Sequence, residues 1–155
     1  MPERERWREI EQLYRDEFPR FTRVARAITV DRESAVDAVQ EGFADALRHA
    51  SQWSGRGSLD AWVWRCVVNR ARKSRLRPAS VPVGQDVLDA ATDVDLRERL
   101  AALPERQRLV VFLRYFADLD YREIAEALDI RIGTVSATLH AAHTALRMAL
   151  TEVPA

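Results

Sequence analysis

Cysteine occurs once in the 155 residues, at Cys66, which excludes an internal disulfide framework and any multi-cysteine zinc knuckle, and fits a reducing compartment. No apolar run approaches the length needed to span a membrane. The start, Met1 to Glu11, alternates acids and arginines where a signal peptide would carry an apolar stretch, so a soluble, cytoplasmic protein without membrane insertion is expected. A net basic charge is missing as well. The 24 Lys and Arg balance 24 Asp and Glu, so nucleic-acid binding would have to come from local patches. There is no Gly-rich phosphate loop, no suggestive Ser–His–acid set, no repeat and no low-complexity tract, and no segment alternates with the period of a strand. Nothing calls for enzymatic activity, a cofactor or a metal. His140 and His143, at i, i+3, lack a third ligand nearby.

What the chain does have is helical periodicity and segregated charge. Apolar positions recur at helical spacing from Trp7 to Ala50, predicting two or three helices. The Gln52–Ser58 segment breaks the pattern, and Ser58 caps a further helix from Leu59 to about Leu76. Its expected buried stripe is Leu59, Trp62, Val63, Cys66, Val67 and Ala71. That puts Trp62 in the core and leaves Trp64 as the better candidate for a contact with DNA or protein, with packing against the preceding helices the alternative. Arg65, Arg70, Arg72, Lys73, Arg75 and Arg77 fall between Ala61 and Gln85 with no acid among them, whereas Asp86, Asp89, Asp93 and Asp95 follow without a base. Pro78, Pro82 and Gly84 end regular structure and begin a polar tether. The expected architecture is all-α, with one helical domain over 1–77, a flexible linker over 78–95 and a second helical domain over 96–155.

The second domain holds the most informative segment. After Leu96–Leu103, Pro104 opens a helix to about Phe116. Leu119 to His140 then has the layout of a helix-turn-helix: Ile124, Ala125 and Leu128 on one face, Asp129 suited to a left-handed turn, and Thr134 expected to cap the second helix. In such a unit the second helix enters the major groove. That would bring Arg131, Thr134, Ser136, Ala137, Thr138, His140, Ala141 and His143 toward DNA. Between Arg131 and Arg147, however, this helix has no Lys or Arg. Bidentate guanine contacts are then out of reach, and a relaxed or unusual target sequence is expected.

Taken in order, these stretches resemble the extracytoplasmic-function (ECF) group of sigma-70 factors. Region 2 of that family is similar to Ser34–Phe43 followed by Gly57–Ala71, and region 4 to Leu103–Arg108, Leu113–Tyr115, Tyr121–Ala125 and Gly133–Val135. The resemblance implies a chain that directs core RNA polymerase to specific promoters and helps melt them, with promoter DNA, core polymerase and an anti-sigma factor as partners. It implies that Asp37, Gln40, Glu41 and Phe43 dock on core polymerase. It further implies that Arg56, Ser58, Trp64, Arg65, Asn69, Arg72 and Lys73 serve the downstream element and melting, since an extruded base needs apolar walls, polar edges and cations for its backbone. Asp37, Glu41 and Asp45 at i, i+4 would repel one another, which a basic partner could relieve. Two other readings stay open: a stand-alone helix-turn-helix regulator, and a sigma-like interaction module with weakened DNA binding.

Overall fold

The computed structural model describes residues 1–29, 31–74, 98–100 and 102–151. Among these, every regular element is helical: α1 (Glu3–Arg26), α2 (Arg32–Arg48), a 3-10 turn (Ala50–Gln52), α3 (Leu59–Ser74), α4 (Glu105–Tyr115), α5 (Tyr121–Leu128) and α6 (Ile132–Thr151). The expected tether over 78–95 lies outside the described residues.

Each helix start has a local cause. Glu3 and Glu5 open α1, and Arg23 and Arg26 close it, each sign at the favourable end of the helix dipole. Asp31 caps α2 by accepting from the Ser34 N–H at 2.7 Å. Ser58 caps α3 as expected, its Oγ accepting from the Ala61 N–H at 2.9 Å. Asp120 and Glu123 form a reciprocal capping box on α5, both bonds 2.8 Å long. Asp129 ends α5 at φ 54, the left-handed turn expected of it. The expectation for Thr134 is corrected. Helix α6 begins at Ile132, and the Thr134 N–H bonds back to the Arg131 carbonyl at 3.0 Å, so Thr134 lies inside the first turn and does not cap it.

Helices α1, α2 and α3 pack on one another, α4 and α6 flank α5, and the two groups share one contiguous apolar core. Helix α3 is the hub, because α1, α2 and α5 all pack against it. It therefore buries two adjacent stripes, Val63–Val67–Ala71 and Ala61–Trp64–Val68. This corrects the assignment of the two tryptophans. Trp64 is 2% exposed and stacked on Phe21 with ring centroids 3.7 Å apart, whereas Trp62 is half-buried at the edge. Cys66 is also half-buried, and burial pushes its thiol up to about 11, which leaves it protonated and unreactive near neutral pH.

Candidate nucleic-acid interface

The surface expected to serve the downstream element is built on α3. Arg65, Asn69 and Lys73, spaced i, i+4, i+8, are all exposed and form one polar stripe along the helix. Arg72 is half-buried beside them. The preceding loop turns on Gly55 at φ 81 and Gly57 at φ 72, backbone conformations that side-chain-bearing residues seldom adopt. It presents Arg56 to solvent, with Ser58 partly covered. Helix α1 pins the loop's start, since Arg6 Nη1 donates to the Ala50 carbonyl at 2.6 Å and the guanidinium lies 5.9 Å from the Trp53 ring centre. Trp64 does not join this surface, because its ring is spent on the core. Trp62 takes its place as the aromatic group beside Arg65 and Arg56.

The acidic face of α2 exposes Asp37, Gln40 and Glu41. The repulsion expected among its acids is relieved within the chain: Arg70 Nη2 donates to Asp45 Oδ1 at 2.9 Å, and Arg70 Nη1 lies 3.5 Å from Glu41 Oε2. The Arg70 hydrogen bonds hold the Asp45 carboxyl below its ordinary value even though partial burial works the other way. Glu41 and Asp45 thus have a base within the chain. Phe43 also departs from expectation. It is 3% exposed, edge-to-face with Tyr14 and Phe21 at 5.1 and 4.8 Å, and forms the floor of an apolar groove between α1 and α2 with Tyr14, Gln40, Ala44 and Leu47. The walls, Ala44 and Leu47, carry no sequence signal beyond helical periodicity.

In the helix-turn-helix, Val135, Leu139 and Ala142 are buried, which turns Arg131, Ser136, Ala137 and His140 outward. Thr134, Thr138 and His143 are half-exposed. His143 Nε2 is hydrogen-bonded to the Tyr115 hydroxyl at 2.8 Å, and the Arg114 guanidinium lies 5.8 Å from the Tyr115 ring centre. Tyr115, 57% exposed, and Arg114 thus stand beside the recognition helix, although only their place in the family motif marked them in the sequence. Among the described residues, no cluster of three His, Cys, Asp or Glu side chains is arranged to hold a metal ion.

The two surfaces meet. Helix α5 packs on α3 so that the Glu126 carboxylate lies against the loop backbone at Gly57 and Asp129 Oδ2 lies 3.4 Å from Arg65 Nη2. A Cβ on Gly57 would fall inside the Glu126 carboxylate. Arg20 of α1 donates to the Ala117 carbonyl, ahead of α5, at 3.1 Å. Arg56, Trp62 and Arg65 line one side of the resulting cleft, with Arg122, Glu126 and Asp129 on the other. Burial pushes the Glu126 carboxyl up, offset in part by the Ser58 N–H.

Known proteins are similar to this chain in sequence or in fold. The family model for sigma-70 region 2 matches residues 13–79, and that for sigma-70 region 4 matches residues 93–146. The RNA polymerase sigma-E factor of Streptomyces coelicolor is 30% identical over 150 residues, covering 90% of this chain and 84% of that protein. The RNA polymerase sigma factor SigV of Bacillus subtilis is 28% identical over 141 residues, covering 85% of each. Among solved structures, CnrH in complex with the cytosolic domain of CnrY superposes with a TM-score of 0.73 at 18% identity, covering 95% of this chain and 90% of that one. The sigma factor RpoE of Bartonella quintana, in complex with the anti-sigma factor NepR, gives 0.69 at 19% identity, covering 94% and 99%. These two likenesses are of fold.

Proposed function

The chain belongs to the extracytoplasmic-function group of the sigma-70 family of RNA polymerase sigma factors, and we propose from that membership how its surfaces divide the work. Residues 1–77 hold core polymerase and open the downstream element. Residues 96–155 read the upstream element, and 78–95 join the two. The factor is not catalytic, acts in the cytoplasm where polymerase is, and is held in check by an anti-sigma factor, the kind of partner with which the sigma factor RpoE of Bartonella quintana forms its complex.

The observation that carries this reading is the exposed Arg65–Asn69–Lys73 stripe beside the glycine-built loop, present in the same chain as an outward-facing recognition helix. A repressor binding duplex DNA alone needs only the second of these. On the downstream surface, Arg65, Arg72 and Lys73 supply cations for the strand backbone, and Arg56 and Ser58 supply polar groups at the loop. Asn69 offers a donor and an acceptor to a base edge, and Trp62 offers a stacking face. On α2, Asp37, Gln40 and Glu41 form the rim of the core-polymerase contact, with the groove over Phe43 as its apolar centre.

The core contact is tested by Asp37→Lys combined with Gln40→Lys. Both side chains are exposed and neither contributes to the Asp45–Arg70 pair, so the fold should be unaffected. Affinity for core polymerase, measured by competition against wild type, should fall about tenfold or more. Unchanged affinity would move the contact off α2.

The recognition helix favours weak upstream binding. Each Lys or Arg that neutralises a phosphate adds about 0.9 to the slope of log affinity against log salt, and of the outward positions Arg131, Ser136, Ala137 and His140 only Arg131 is such a residue. Wild-type affinity for an upstream-element duplex should therefore depend weakly on salt. Ser136→Arg with His140→Arg should steepen the slope by up to about 1.8, with most of the gain shared by unrelated sequences. A steep wild-type slope would show that another face of α6 meets DNA.

A further inference from the structure

In the arrangement described, the first helix of the helix-turn-helix lies across the entrance to the downstream DNA surface. Three independent features join there. The Glu126 carboxylate occupies the space over Gly57, where an added Cβ would collide with its Oε1, so it sits on the loop backbone where a strand would approach. Asp129, on the same side of α5 at i, i+3, faces Arg65, the first cation of the α3 stripe. The Arg20 bond to the Ala117 carbonyl ties α1 to the segment just before α5. An anionic oxygen against the loop backbone and a second one on an arginine are also what a nucleic-acid phosphate backbone offers.

We propose that α5 masks the downstream surface as an internal stand-in for the promoter strand, with Glu126 and Asp129 in the places of two strand anions, so that α5 must leave α3 before unpaired DNA can bind. This rests on the assignment of the Trp53–Ser58 loop and α3 to promoter DNA. The latch is weak enough to be displaced. The Arg65 and Asp129 side chains are 45% and 78% exposed, and exposed pairs of that kind contribute little. Burial also works against ionised Glu126, holding its carboxyl above the ordinary value. Asn69 and Lys73 stay uncovered further along α3, leaving a foothold from which a strand could displace α5.

The test uses the full chain without polymerase, labelled by fluorophores on α2 and α6, and a single-stranded oligonucleotide carrying the non-template downstream element of a promoter that its holoenzyme opens. Glu126→Ala with Asp129→Asn removes both anions, while Asn keeps the left-handed turn available at 129. Glu3→Gln with Glu9→Gln removes two exposed charges elsewhere as a control. The variant should bind the oligonucleotide about three- to tenfold more tightly than wild type and control, as expected for loss of a carboxylate seated over the loop and of a surface ion pair. Energy transfer in wild type should fall as the oligonucleotide is added, and that reading does not depend on the variant's folding. Equal affinities together with unchanged energy transfer on DNA binding, in a chain whose holoenzyme still melts the promoter, would overturn the masking while leaving the DNA assignment in place. A holoenzyme that melts the promoter equally well after Arg65→Ala with Asn69→Ala would remove the DNA assignment and the masking with it.

Discussion

Trp64→Ala is expected to destabilise the protein by about 3–5 kcal/mol, the range for deleting a large buried aromatic side chain, and Trp62→Ala by much less. The contrast follows from position. Trp64 is 2% exposed, stacked on Phe21, and at the meeting point of α1, α2 and α3, so its removal leaves a cavity the three helices cannot close without moving. Trp62 keeps one side open to the cleft beside Arg65. Its loss should appear in promoter opening, where a stacking platform contributes about 1–3 kcal/mol per base. Thermal melts of the two variants, with permanganate reactivity of promoter thymines in the holoenzyme, separate the roles. Equal melting temperatures would return Trp64 to the surface.

Gly42→Val should also be strongly destabilising, by about 3 kcal/mol or more, at the upper end of overpacking costs. A Cβ at Gly42 would stand 2.6 Å from the Val67 Cα and 2.9 Å from its nitrogen, so the obstruction is backbone and no side chain can swing aside. Helices α2 and α3 would have to separate. Gly42→Ala makes the sign informative: helix propensity alone would favour Ala by about 1 kcal/mol in mid-helix, so a net loss of stability isolates the cost of the close approach. Denaturant melts with an unchanged slope would report it. A stabilised Gly42→Ala variant would mean that the two helices have room to spare at this crossing.

Much of the fold was legible because its signals are local. Ser58 as a cap, Asp129 as a left-handed turn, and the apolar spacing of α1 to α3 each depend on residues within one or two turns of each other. Trp62 and Trp64 were exchanged because a single-stripe reading suits a helix with one neighbour, and α3 has three. The cap expected at Thr134 failed because Arg131 already turns the chain, so α6 begins before the threonine. Arg70 could not be matched to Asp45 from the sequence, since 25 residues separate them and only the α2–α3 crossing brings them together. The burial of Phe43 and the α5–α3 contact are likewise products of tertiary packing. Within the candidate site, the charged and polar groups of α3 and α6 were legible as types, whereas which of them are covered was not.

The most direct measurement is run-off transcription with purified core polymerase on a promoter template, read together with permanganate reactivity across the downstream element. The chain and core together should give one defined transcript and reactive thymines in that element, neither component alone should, and Asn69→Ala should lower both signals more than it lowers core binding. Absence of transcript and of melting on every template the chain recognises, with tight duplex binding by the chain alone, would contradict its assignment as an initiation factor acting through core polymerase.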